Sequence, residues 1–333
     1  MVPAALYKPL KSPNLVDYPV YVPESGYITE LGGMVDRLSV LGGIQCIYQI
    51  GSVSAPGISD IDIFVVFDDG ASTDINPLSE LSEGGRYLFN HGPFAATRSQ
   101  MAGVQRYTFF HNYRLVWGKE NLPAADQTSP EEERELKYQT AMEYLLKMYI
   151  SMTVERTFRI IKVRGLLLHI KALLYDLEFL QVSDGPLFDE LTQIVDWRNN
   201  WFEKMPGRQT LIEWHDRCYR FLGEFLAERL AVKRLYFPGK DQYEISKNII
   251  LAGSDEFCTS HSGLVLPPRF GGSSRRYFNI QYRFNRFRFE LPITGTAASG
   301  IISERYSFMV DVQQHHKKKL PYFLLPGSSL AIF

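Results

Sequence analysis

Residues 44–67 constrain the fold more tightly than any other stretch of this chain. Ile44–Ile50 alternates, with Ile44, Cys46, Tyr48 and Ile50 on one side and Gln45, Ile47 and Gln49 on the other. A period of two predicts a strand. The stretch Asp60–Phe67, DIDIFVVF, is rich in β-branched and aromatic residues and predicts a second, central strand. The small residues of Gly51–Ser59 join the two as a turn or short loop. Asp60 and Asp62 are two apart in the second strand, so both point the same way, roughly 6–7 Å apart at the backbone. Two like charges that close repel unless a cation sits between them. Mg²⁺ takes one or two carboxylates together with substrate phosphates. A Gly51-Ser52 turn brings bare backbone N–H groups and a hydroxyl close to an anion. These residues read as a phosphate–metal cradle; the plainer alternative is an aspartate pair that only opens a strand, with Gly57 for the bend.

The sequence of Gly51-Ser52, a small-residue loop, Asp60-x-Asp62 and an apolar strand, preceded by a helix and an alternating strand, resembles the DNA polymerase β-type nucleotidyltransferase superfamily over about residues 27–120. The resemblance implies transfer of a nucleoside monophosphate from an NTP such as ATP to an acceptor, with release of pyrophosphate. Gly51 and Ser52 would grip the triphosphate, and Asp60 and Asp62 would bind Mg²⁺ or Mn²⁺. The acceptor is left open among a small molecule, a nucleic-acid end and a protein. Active members carry a third carboxylate on a later strand. The strands expected here, Gln105–Phe110 and Arg114–Trp117, contain no acid. Glu120 is the nearest candidate, with a surface acid as its plain reading. Asp68 and Asp69 lie about 20 Å along the strand from Asp60, too far to help. The competing reading is a catalytically silent nucleotide-binding or interaction module that kept the aspartate pair and lost the third acid.

Around this core the expected fold class is α+β: a small mixed β-sheet core, then a helical bundle, then a mixed α/β C-terminal segment. Tyr27–Leu41 has apolar residues spaced by three and four and predicts an amphipathic helix, ended by Gly42-Gly43. Pro77–Phe89 predicts another, broken by His91-Gly92-Pro93-Phe94, which reads as a plain turn or a cleft loop. Ser129-Pro130-Glu131-Glu132 is a helix start. Helical spacing follows over 132–150, 153–180, 187–203 and 211–235. Pro238-Gly239 opens a mixed segment with strands over 245–251 and 276–291 and a helix over 304–318. The domain division read from these boundaries is 1–125, 126–237 and 238–333.

Other features carry weaker signals. Arg164-x-x-x-x-His169 is similar to the motif of HEPN helical nucleases, but a five-residue offset does not align one helix face, and packing is the simpler role. Arg275–Glu290 interleaves basic and aromatic residues, as an RNA-binding scaffold does, yet its alternation fits ordinary strands. Arg98, Arg106 and Arg114 have the reach for phosphates, with surface placement as the default. Net charge runs from −5 over residues 1–130 to +4 over 241–333, with no segment basic enough to claim nucleic-acid binding. Cys46, Cys218 and Cys258 lie far apart with no CxxC, so no zinc site or disulfide framework is predicted and a reducing, cytoplasmic compartment is expected. The longest uncharged run, 38–59, holds four glycines and a proline, so no membrane span is expected, and the N-terminus does not read as a signal peptide.

Overall fold

The computed structural model describes residues 10, 12–124, 128–240, 242–267, 274–327 and 330, and is mixed α+β. In chain order, β1 (Asn14–Val16) precedes α1 (Glu24–Ser39), β2 (Ile44–Ile50) and β3 (Asp62–Phe67). Then come α2 (Glu83–Leu88), β4 (Phe94–Thr97), α3 (Met101–Tyr107) and β5 (Arg114–Gly118). The middle of the chain is α4 (Pro130–Phe158), β6 (Ile160–Lys162), α5 (Val163–Phe179), α6 (Pro186–Asn199) and α7 (Arg208–Val232). Next are β7 (Leu235–Tyr236), β8 (Gln242–Ser246), β9 (Ile249–Gly253) and β10 (Cys258–Gly263). Last are α8 (Ser274–Phe284), β11 (Asn285–Leu291), β12 (Ile293–Thr294) and α9 (Gly300–Lys319).

The chain divides into two compact units. One holds residues 20–133 and 303–327; the other holds 134–302 with the described residues before 20. This differs from three consecutive segments. The helical stretch and the sheet after it share one unit, while residues 303–327 group with residues 20–133.

In the first unit the sheet runs β4-β3-β2-β5. Strands β2 and β3 are antiparallel, with Ile47 opposite Val65, Tyr48 opposite Phe64 and Ile50 opposite Asp62. Strand β4 lies parallel to β3, and β5 antiparallel to β2. Ile47, Ile63, Val65 and Phe67 pack on Met34 and Leu38 of α1. The opposite side chains, Tyr48, Ile50, Phe64 and Val66, pack on Met101 and Val104 of α3 and on Phe308 of α9. Cover on both faces is why these strands are apolar on both sides. Gly103 lets α9 come close, because a Cβ there would run into the Phe308 ring. Beyond α9, Leu320 and Phe323 enter the core, and Phe323 meets Phe67 edge-on at 5.1 Å between centroids. Leu324 extends the sheet past β4: its N–H donates to Pro93 O (2.9 Å), and Ala95 N–H donates to Leu324 O (3.1 Å).

Several expectations need correction. The stretch 105–110 is not a strand; it is the end of α3 and a loop, because Met101, Val104 and Tyr107 are buried three apart. Pro77–Phe89 is helical only from Glu83, where Ser82 Oγ caps Gly85 N–H at 2.8 Å. Gly84 and Gly85 weaken helix propensity. The second strand begins at Asp62 rather than Asp60. Residues 94–97, expected to follow a plain break, pair as β4.

Helix α4 starts as expected, with Ser129 and Glu132 exchanging side-chain to backbone hydrogen bonds (2.9 and 3.2 Å). The expected helix over 153–180 is interrupted at Arg159 (φ 54°) by β6, which pairs with β1. A four-stranded sheet, β10-β11-β9-β8, packs against α4: Phe158 meets Phe287 at 5.6 Å and Tyr149 meets Phe289 at 6.3 Å. The expected strand over 276–291 is α8 followed by β11, with the switch at Asn285. Tyr277, Phe278, Phe287 and Phe289 are buried, so those rings pack the core and do not form a stacking surface. Among the described residues no helix is long and apolar enough to cross a membrane. The three cysteines are free.

Two outcomes follow from this packing. Phe323→Ala is expected to destabilise the first unit by about 3 kcal/mol in urea unfolding, since Phe323 is 5% exposed, whereas Tyr322→Ala, at 46% exposed, changes little. Equal effects would show that the tail does not seal the sheet. In the second unit His215 is fully buried with neither ring nitrogen hydrogen-bonded, and burial, helped by the Arg156 charge, holds its pKa down to about 3. The unfolded chain takes up this proton near pH 6.5 and the folded one does not, so stability falls as pH drops from 6.5 towards 3. By pH 4, His215→Leu is expected to remove about 3 kcal/mol of that loss, read as a smaller pH dependence of the urea midpoint.

Candidate metal centre

The hairpin end is built from the loop outward. After Ile50 the backbone turns through Gly51 at φ +71°, a left-handed value that favours glycine. A turn over 55–59 then reverses the chain: Ile58 and Ser59 N–H both donate to Ala55 O (3.0 and 2.8 Å), and Ala55 N–H donates to Ser59 Oγ (3.1 Å). Tyr27 of α1 clamps this turn: its hydroxyl donates to Ser59 O (2.7 Å) and accepts from Gly57 N–H (2.9 Å). Tyr87 donates to Gly57 O at 2.6 Å. Ile61 N–H donates to Leu88 O (2.9 Å), after which Asp62 opens β3 opposite Ile50. Gly51-Ser52 and Asp60-Asp62 therefore leave the same end of one hairpin.

Asp60, Asp62 and His91 converge there. One donor atom from each lies within 4.8 Å of the other two. His91 Nε2 stands 3.1 Å from Asp62 Oδ1. That oxygen is closed off from solvent yet accepts no hydrogen bond of regular geometry, so the imidazole stands against it without alignment. Asn90 Nδ2 donates to Asp60 Oδ2 at 3.2 Å. His91 Nδ1 lies 2.9 Å from Gly92 O; a carbonyl only accepts, so this nitrogen carries the hydrogen. Burial, and then the charge of Asp62, push Asp60 up to about 6. Burial pulls His91 down, but Asp62, with the Gly92 carbonyl and the charge of Asp60, outweighs it and holds the imidazole above its ordinary value. Two carboxylates and an imidazole facing one point, with one buried oxygen lacking a regular hydrogen bond, fit a divalent cation.

The other expected site residues are placed differently. Glu120 is not part of this cluster; its Oε1 accepts from the Tyr48 hydroxyl at 2.6 Å, and that hydroxyl accepts from Asn121 N–H at 2.8 Å. Gly51 N–H donates to His111 O at 3.3 Å, so this amide is engaged within the fold. Gly51 and Ser52 line a cleft of about 610 Å³ with Tyr27, Gln49, Ile61 and Arg114. Its lining includes neither aspartate: Ile61 and Asp62 are neighbours on an extended chain and point to opposite faces. Arg114 hydrogen-bonds Gln49, and Arg106 pairs with Glu304 at 3.4 Å. In the second unit, His169 Nδ1 contacts the Tyr144 hydroxyl at 2.9 Å, and Arg164 is buried.

His91 is the member of the cluster that the sequence placed only in a turn or cleft loop, with no role beside the aspartates. The signal was a histidine at the foot of a strand, but residues 94–97 are too short to read as one. Their pairing with β3 is what carries His91 to Asp62.

No protein-family model matches the chain, and no curated protein matches it. Tyr27→Phe tests the clamp: it strips a buried donor from Ser59 O and a buried acceptor from Gly57 N–H, an expected loss of about 2 kcal/mol in urea unfolding. A loss under about 0.5 kcal/mol would mean the turn holds itself.

Proposed function

We propose that this chain is a divalent-metal-dependent nucleotidyltransferase, moving a nucleoside monophosphate from an NTP to an acceptor and releasing pyrophosphate. The observation that carries the reading is the Asp60–Asp62 pair at the hairpin end, with a solvent-shielded Asp62 oxygen that accepts no regular hydrogen bond, where Gly51-Ser52 also departs. Further support comes from the order of elements, a helix, two antiparallel strands carrying these residues, a helix and a strand parallel to the second. Of these, the sequence resemblance covers the leading helix, the alternating strand and the strand that carries Asp62. Asp60 and Asp62 would hold Mg²⁺ or Mn²⁺, and such an ion supplies positive charge to phosphate oxygens and orients them. Ser52 would meet the triphosphate through its hydroxyl, with Gly51 serving to turn the backbone.

A second reading has its own observation. Glu120 is held by Tyr48 outside the cluster, and the third group is an imidazole rather than a carboxylate. That favours a module that binds nucleotide without transfer. Pyrophosphate release separates the two. With Mg²⁺ or Mn²⁺, each NTP and a panel of hydroxyl acceptors, the transferase releases pyrophosphate, and Asp62→Ala lowers the rate roughly 100-fold or more. Binding of NTP with no pyrophosphate from any acceptor would favour the silent module, and no NTP binding would remove both. Glu120→Gln is expected to leave release within about threefold, as a carboxylate outside the cluster; a loss near that of Asp62→Ala would return it to the catalytic set.

A further inference from the structure

We propose that Asp60, Asp62 and His91 form a site for a first-row transition ion of the Mn²⁺ or Zn²⁺ class, preferred over Mg²⁺, with His91 Nε2 as its nitrogen ligand. The proposal rests on the metal site of the transferase reading and on none of its nucleotide chemistry.

Geometry carries it first. Donors bound side by side to one octahedral ion at about 2.2 Å stand about 3.1 Å apart. His91 Nε2 and Asp62 Oδ1 are 3.1 Å apart, and a donor of Asp60 joins them within 4.8 Å. Two donors thus already stand at the spacing of neighbouring ligands with a carboxylate of Asp60 close by, and Asp62 Oδ1 makes no regular hydrogen bond that an ion would have to displace.

Orientation carries it further. His91 Nδ1 faces Gly92 O at 2.9 Å, which fixes the hydrogen on that nitrogen. When the ring is neutral, Nε2 presents its lone pair towards Asp62. A lone pair opposed to a carboxylate is repulsive unless something positive lies between them. A backbone carbonyl that takes one ring N–H while the other nitrogen faces carboxylates is the arrangement by which proteins aim a metal-binding histidine. Asn90 does the same for Asp60, fixing Oδ2 at 3.2 Å.

The donor set then selects the ion. Mg²⁺ is a hard cation that takes oxygen and gives up water reluctantly. Imidazole suits later first-row ions, carboxylate suits Mn²⁺ as well as Mg²⁺, and Zn²⁺ accepts both nitrogen and oxygen. One nitrogen and two carboxylates therefore favour Mn²⁺ or Zn²⁺. The competing occupant of the same space is a proton, which would make His91 an imidazolium paired with Asp62.

The test uses the full chain, stripped of metal with a chelator, at pH 7.5 and without nucleotide. Calorimetric titration with MnCl₂, ZnCl₂ and MgCl₂ is expected to give one site, at least about 10-fold tighter for Mn²⁺ or Zn²⁺ than for Mg²⁺. Asp62→Ala abolishes it. His91→Ala weakens Mn²⁺ about 10–100-fold, and His91→Asp restores binding with the preference moved towards Mg²⁺. Electron spin-echo spectroscopy of the Mn²⁺-loaded wild-type protein is expected to show nitrogen coupling that His91→Asp lacks, a readout that holds even if His91→Ala fails to fold. Equal affinity for Mg²⁺ and Mn²⁺, absence of nitrogen coupling, or no metal binding by the wild-type chain would each overturn the assignment. Nitrogen-coupled Mn²⁺ without pyrophosphate release from any NTP supports this site and overturns the transferase reading. Pyrophosphate release from a Mg²⁺ site indifferent to His91 does the reverse.

Discussion

Two carboxylates held side by side at the end of a buried hairpin are the constraint on which the site depends. Asp60 and Asp62 stand beside strands whose remaining side chains are almost all apolar and closed to water. Their mutual repulsion and the burial of Asp60 oppose ionisation, as the raised Asp60 pKa records. A fold tolerates such an arrangement when something positive offsets it. His91 stands at that point. The cluster thus spends folding stability on a local charge arrangement that packing alone does not call for.

The surrounding structure fixes that arrangement from several sides. Tyr27 clamps the turn before Asp60, Leu88 O receives Ile61 N–H, and the pairing of β3 with β4 sets His91 against Asp62. The chain beyond α9 contributes as well, since Leu324 hydrogen-bonds at both Pro93 and Ala95, on the strand that follows His91. Residues more than two hundred positions away in sequence thereby brace the foot of β4. Loss of that brace would loosen the imidazole without touching it, because a ligand is only as well placed as the groups that orient it.

Much of the first unit was legible residue by residue. Ile44–Ile50 is a strand with the predicted ends, and the aspartate pair does converge. Helix α1 and the capped start of α4 follow from spacing and from Ser129. The errors have a common origin. Short elements such as β4 carry too few residues to show a period, and FAAT has no alternation to read. Residues 101–107 and 274–284 mix aromatic, basic and small side chains, so a period of two and a period of three to four both fit until burial decides between them. Glu120 was chosen by closeness in sequence to an expected strand. Its partner turned out to be a tyrosine hydroxyl on β2.

The amino-acid sequence by itself determined the two apolar strands, the turn between them and the pair of like charges at their end. These follow from local periodicity and from the stereochemistry of glycine and aspartate, which act over a few residues. Only the tertiary structure decided what faces that pair: His91 rather than Glu120, a cleft along Gly51 and Ser52 whose lining excludes both aspartates, and a C-terminal tail returned to the sheet. Those outcomes depend on which strands pair and which faces are covered. Both are set by burying apolar surface between segments far apart in the chain, and no local pattern of residues records that choice.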